Sequence, residues 1–371
     1  MSYDLRVWTT LPPEIGYPAA TWLGSGPLAQ GRGWLINAHV SARIEPEDVP
    51  EQVAEALPGI AHLVELTLEP IGAPASALTK LRTLAKAFAT AAHGVIEDPQ
   101  AGTIALGPRV QRLSSLGVSD DSTLLSMGFW YESGPMIDPK AATELLNILS
   151  RQLPEAVPAR YGDCEPPQFR LDRDGRPHLE SFLQQHWREF CVYYPSAPVA
   201  DLHISQPQSI GPSRNGYRSG RVCIDIDVSA IAQPGWQTAV SQAWRELVRF
   251  MQPFYSDVRH LHHYSRSRGR YWVKSDTESH PVCSWWWSGV PPGPVYAIAL
   301  GKPYLNLWPE FQTNSLREGS CVVHSTVDWR AGATPLSIPE APASIRQVRP
   351  EYQINRDRMY PAIWPFASPR V

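Results

Sequence analysis

Apolar and polar positions alternate along YDLRVWT (3–9), which ends in LPP, so this stretch reads as a β-strand. WLINAHVSARI (34–44) and AHLVELTLEP (61–70) read the same way, with β-branched and aromatic content. Between them, EPEDVPEQVAEALPG opens on acidic residues and closes on Gly59, the signature of a short helix. In ALTKLRTLAKAFATAAHG (77–94), Leu78, Leu81, Leu84, Ala85 and Phe88 share one helical face, and Gly94 stands as the expected cap. GVIEDPQAGTIAL then returns as extended chain.

The same grammar recurs further on. LLSMGFWYE (124–132) predicts a strand, and DPKAATELLNILSRQLP (138–154) a helix capped by Asp138, with Pro139 at its first position and Leu145, Leu146 and Leu149 inward. HLESFLQQHWREF (178–190) and TAVSQAWRELVRFMQPF (238–254) predict helices, the latter with Ala243, Leu247, Phe250 and Met251 on one side. VADLHISQ (199–206), RVCIDIDVSA (221–230) and DVRHLHHY (257–264) predict strands. This order predicts an α+β fold, with helices on one face of mainly antiparallel sheets. The expected division is a first module over 1–115, a second over 116–335 that includes a Trp-rich segment, and an extended Pro-rich tail over 336–371.

Composition narrows the function classes. The net charge is -3 with 19% charged residues, so no basic footprint for nucleic acid is expected. The start, MSYDLRVWTTLPP, lacks a signal-peptide pattern, and no apolar run reaches 18 residues; a cytoplasmic chain without a membrane partner is expected. Five scattered cysteines (Cys164, Cys191, Cys223, Cys283, Cys321) show no CxxC spacing and read as reduced, buried thiols. Prolines number 37, about twice the usual share, so many loops are stiffened.

Four segments carry candidate chemistry. In RHLHHYSRSRGR (259–270), His260 and His262 share a strand face at a spacing that suits a metal, with His280 or Asp276 as a third ligand. The same run carries Arg259, Arg266, Arg268 and Arg270 with Tyr264 and Tyr271 interleaved, a basic patch for an acidic partner; the plainer reading is an exposed edge strand. Asp201 and His203 share a face in ADLHISQ, and Asp225 and Asp227 share one in CIDIDV; paired strands would gather an Asp/His cluster fit for hydrolysis, while a solvated sheet face explains the same alternation. PARYGDCEPPQF (158–169) is either a functional loop or a rigid connector.

The fourth is CSWWWSG with its sequel. Trp285, Trp286, Trp287, Tyr296, Tyr304 and Trp308 fall within 24 positions, as partner-facing anchors or as core. After PPGP, a short helix is expected through Val295, Ile298 and Ala299, ended by Gly301. No GxSxG elbow, P-loop or HExxH occurs, and GSGPLAQGRG (24–33) does not sit between a strand and a helix as a dinucleotide site requires. No catalytic residue, metal or cofactor is assigned.

AFATAAHGVIEDPQAG (87–102), PARYGDCEPPQF and PPGPVYAIALGKPYLNLWPEF (291–311), in a proline- and tryptophan-rich α+β chain, resemble the immunity proteins of bacterial polymorphic-toxin and type VI secretion systems. That resemblance implies a non-catalytic protein that binds a cognate toxin and blocks its active site. It assigns no individual residue. The residues themselves nominate Trp285, Trp286, Trp287, Tyr296, Arg266, Arg268 and Arg270 for partner binding. The alternative is a hydrolase or metal-dependent enzyme built on Asp201, His203, Asp225, Asp227, His260 and His262.

Overall fold

A computed structural model describes residues 2–13, 27–41, 44–70, 72–112, 121–206, 219–267, 270–273, 289–291, 293–302, 304–313 and 315–345. The chain divides into two compact units, 1–117 and 118–371. The fold is α+β with antiparallel sheets throughout.

The first unit contains β1 (Tyr3–Thr9), β2 (Ala29–Gly31), β3 (Trp34–Ser41), α1 (Glu51–Ala56), β4 (His62–Glu69), α2 (Ala75–Ala91), β5 (Gly94–Asp98), β6 (Thr103–Leu106) and β7 (Arg109–Arg112). Its strands make one seven-stranded sheet in the order β2-β3-β4-β1-β5-β6-β7. Strand alternation sends Leu5, Val7, Val64 and Leu66 to the face covered by α2, whose Ala77, Leu81, Leu84, Ala85 and Phe88 are buried against them. Trp8, Leu63 and Val95 point the other way and pack with Val53 of α1. On that face Glu65, Arg6 and Glu97 lie side by side in register. Arg6 Nε is 3.1 Å from Glu65 Oε1, and the Trp8 indole donates to Glu97 at 2.8 Å.

The end of α2 differs from expectation. His93, and not Gly94, takes the left-handed turn, with φ of 50°. Gly94 opens β5, where a Cβ would stand 2.8 Å from the Trp8 carbonyl oxygen and from Thr9 Cγ2. The glycine is needed for a close strand approach.

The second unit contains β8 (Asp121–Tyr131), α3 (Ala141–Gln152), β9 (Arg160–Gly162), β10 (Phe169–Arg170), α4 (Leu171–Asp174), α5 (Arg176–Gln185), β11 (Val192–Tyr194), β12 (Val199–Ser205), β13 (Gly220–Asp227), α6 (Val228–Ile231), α7 (Trp236–Met251), β14 (Tyr255–Ser267), β15 (Arg270–Val273), β16 (Ala297–Leu300), α8 (Tyr304–Leu307), β17 (Leu316–Glu318) and β18 (Cys321–Ser325). The main sheet runs β12-β13-β8-β14-β16-β18-β17, with β15 paired to β14; a small sheet β10-β9-β11 stands apart from it. α3 and α7 cover one face of the main sheet with Leu145, Leu149, Ala243, Leu247 and Met251, against Met127, Phe129, Ile224 and Val258. The Trp244 indole donates to the buried Ser256 hydroxyl at 2.9 Å on this face. α3 starts later than expected: Asp138 accepts from the Lys140 N–H at 2.9 Å in a turn that precedes the helix.

The expected helix at 295–300 is a strand. All four residues of β16 are buried, because both faces of the sheet are covered there, so the stretch shows no alternation. Gly301 follows it because a Cβ would lie 2.3 Å from the Pro253 carbonyl oxygen. On the second face Trp130, Tyr255, Ile298, Leu300 and Val322 meet Tyr304, Trp308 and Phe311 in a separate core. Residues 336–345 contain no helix or strand, yet Ile345 is fully buried in that core and its carbonyl accepts from the Val290 N–H at 2.8 Å.

Phe88→Ala is expected to lower the unfolding free energy by about 3–5 kcal/mol, since the ring is fully buried. Leu78→Ala, at the partly buried margin of the same helix, should cost markedly less. Urea denaturation of both variants checks the difference.

Candidate functional site

β12 and β13 pair antiparallel, and their register sets Asp201 opposite Asp225, His203 opposite Cys223 and Ser205 opposite Arg221. β8 extends the rows, with Ser126 opposite Asp225, Gly128 opposite Cys223 and Trp130 opposite Arg221. β14 adds Arg259 opposite Ser126, Asp257 opposite Gly128 and Tyr255 opposite Trp130. Directly opposed residues share a face. A polar band therefore crosses four strands on the face away from α3 and α7. It is bounded on one side by the Trp130 core and on the other by Leu124, Leu261 and Tyr264.

Burial within the band falls from the middle of the sheet to its end strand. Ser126, Asp257 and Arg259 are buried, Asp225 and His203 are half-buried, and Asp201 is exposed. In the buried part, the Asp257 carboxylate accepts from Tyr255 Oη at 2.9 Å and from Arg259 Nε at 2.8 Å, with Arg259 Nη2 also donating. An ion pair this deep holds only when its hydrogen bonds are made, as here. Gly128 leaves room for the Trp130 ring: a Cβ there would be 2.2 Å from Trp130 Cη2.

Toward the end strand the carboxyl groups crowd. Burial raises the Asp225 carboxyl, and its bond with Ser126 and the Arg221 charge pull it back. Its Oδ1 is buried without a hydrogen-bond partner among the described residues. Desolvation of the carboxyl by the sheet around it, although the residue keeps an exposed side, and then the Asp225 charge push Asp201 up to about 7, opposed by Arg221 and the Leu202 backbone N–H. Asp201 keeps a solvated edge, which relieves part of this crowding. Desolvation, then Arg221, pushes His203 down to about 4. At neutral pH the band thus presents a neutral imidazole beside a carboxyl that exchanges its proton in that range.

The other sequence candidates lie elsewhere. Asp227 caps α6, accepting from the Ser229 N–H at 2.9 Å and the Ser229 hydroxyl at 2.6 Å. His260 and His262 share a face as expected, but it is the opposite face of the sheet. His260 Nε2 donates to the Trp329 carbonyl at 2.9 Å, so that nitrogen carries a proton and is not a ligand. Its ring packs 4.2 Å from Tyr296, and burial lowers its pKa. His262 Nδ1 is 3.2 Å from Thr123 Oγ1, and the two imidazoles are 6.3 Å apart. Among the described residues no three His, Cys, Asp or Glu side chains stand together to hold a metal.

Tyr296, Tyr304 and Trp308 are core residues. Arg266 in β14 pairs with Tyr271, and Arg270 in β15 pairs with Ser267. Trp285, Trp286, Trp287, Arg268, His280 and Asp276 lie outside the described residues, as does Cys283. Cys191, Cys223 and Cys321 are buried and Cys164 is half-buried. Ser126, Asp257 and Arg259 were not nominated from the sequence; the D-x-R alternation at the head of DVRHLHHY is the signal that marks the last two. No described helix is long and apolar enough to cross a membrane.

Opposite pH slopes follow for the two end-strand groups. Asp201 is raised in the folded state, so its contribution to stability is present below about 4 and is lost as pH rises to about 7. His203 is lowered, so its contribution is present above about 6.5 and is lost as pH falls to about 4. Relative to the parent chain, Asp201→Asn should therefore gain stability as pH rises from about 4 to 7. His203→Gln should gain as pH falls from about 6.5 to 4. Denaturation midpoints across pH 4–8 test this, and parallel curves for all three proteins would contradict it.

No family model matches this chain, and no curated protein matches it. Among solved structures, a chain described as Pseudomonas aeruginosa T6SS protein PA0821 is similar at 12% identity and a TM-score of 0.35, covering 54% of this chain and 65% of that one.

Proposed function

We propose that this chain is a non-catalytic binding protein of the immunity type, which neutralises a cognate bacterial toxin by covering its active site. The supporting observation is the division of the acid–base side chains. Asp201, His203 and Asp225 face one side of the main sheet, and His260 and His262 face the other. Asp227 is spent as a helix cap. Groups of the kind that a hydrolase gathers into one cleft are here divided between the two faces of the sheet and a helix cap. A binding surface needs no such convergence, only a shaped face with anchors and a charged rim. The overall charge of -3 favours a basic target, such as a nuclease toxin.

One observation keeps a second reading open. Cys223 stands opposite His203 on the face where Asp201 is held at about 7, an order of groups suited to acid–base or nucleophilic chemistry.

Co-expression with the product of the neighbouring gene tests the first reading. The expected outcome is rescue of growth and a stable complex that co-purifies. Trp286→Ala should weaken that complex by about tenfold or more without unfolding the chain. The double variant Asp201→Asn/His203→Gln should protect as well as the parent. Loss of protection in the double variant, with folding and complex formation intact, would favour the enzyme reading, and absence of any complex would sink the immunity reading.

A further inference from the structure

The cleft beside the small sheet has a chemistry that the main sheet lacks. α5 and the residue that caps its end place His178, Phe182 and His186 at i, i+4 and i+8, one stripe along the helix. Phe169 of β10 leans on that stripe: its ring centre is 4.7 Å from His178 and 5.5 Å from Phe182. His186 stacks on Phe182 at 4.5 Å. These rings, with Asp163 and Gln168 from the 158–169 stretch, line a cleft of about 440 Å³. That volume falls in the ordinary range of ligand clefts, roughly 300–1,000 Å³.

The one carboxylate of this lining is Asp163; Gln168, Ser181 and Gln185 add neutral polar groups. Asp163 is exposed, and its Oδ1 accepts from Gln168 Nε2 at 2.7 Å. His186 Nδ1 is 2.6 Å from Glu189 Oε2; a carboxylate only accepts, so Nδ1 carries a proton, and in the neutral imidazole Nε2 is an acceptor. No Lys or Arg lines the cleft among the described residues. The arginines around it are committed to carboxylates: Arg170 to Asp172, Arg173 to Asp174 and Arg176 to Glu180. Gly162 leaves room for the Gln168 side chain, which a Cβ at that position would meet.

The geometry points to a site for an arginine side chain presented by a basic protein partner. Its guanidinium would lie against the half-buried Phe169 ring, donating to Asp163 and to His186 Nε2. Planar cations favour aromatic faces, and the guanidinium fork matches a carboxylate. The inference deepens the binding reading above and rests on it for the donor being a protein.

The test uses a small probe, so it does not depend on any toxin. The imidazole Cε1–Hε1 signals of His178 and His186 in the full chain are followed by NMR during titration with N-acetyl-arginine methylamide. The expected result is a saturable shift with a dissociation constant on the order of 1 mM, given the probe's size. N-acetyl-citrulline methylamide, the uncharged isostere, should bind at least about fivefold more weakly, and Asp163→Asn should weaken the arginine probe to a similar degree. Phe169→Leu supplies a second variant with the carboxylate intact and should also weaken it. Equal affinity for the citrulline probe, tighter binding of N-acetyl-glutamate methylamide, or no saturable shift would overturn the site. Each of those failures leaves the co-expression result standing, so the two readings fail separately.

Discussion

Strand β8 is covered on both sides, and its two faces are made of different materials. Leu125, Met127, Phe129 and Tyr131 meet the helices, while Ser126, Gly128 and Trp130 meet a charged and aromatic layer. A strand in this position must satisfy every polar group placed on it, because water is not available to do so. The Asp257–Arg259–Tyr255 cluster on the neighbouring strand meets that requirement. Gly128 then follows from Trp130, whose ring occupies the space a side chain would need. The rest of the band inherits its rows from this register.

The gradient along the band explains why its members behave differently. In the middle of the sheet, charge is matched within hydrogen-bond distance and fixed. At β12 and β13 two carboxyls face each other and Asp201 keeps solvent on one side, so protonation does part of the work that a counter-ion does further in. One polar face thus holds both a rigid ion pair and a titrating edge.

Much of the fold is legible in period-two and period-3.6 patterning. β1, β4, β12, β13 and β14 read correctly because one face differs in polarity from the other, and α2, α3 and α7 because each buries a stripe. β16 is illegible for the converse reason: AIAL is buried all round, and such a run looks the same in a strand or a helix. The Asp201–Asp225 pairing was within reach, since alternation places each on a face and the strands follow one another. That His260 and His262 turn away from that pair was not. It depends on the register of β14 against β8, two strands more than 120 positions apart in sequence, and no local pattern encodes it. The His178–Phe182–His186 stripe is visible in HLESFLQQHW, but only Phe169 arriving from another strand makes it a wall of a cleft.

Asp201 has one more consequence, for the behaviour of the chain in company. Among the described residues β12 ends the main sheet, and an end strand offers unpaired backbone groups that other chains can join. A charged side chain on such a strand discourages that joining, since a docking strand would have to bury it. The guard here is a carboxyl that loses its charge on mild acidification. Acidification therefore weakens this guard at the β12 edge.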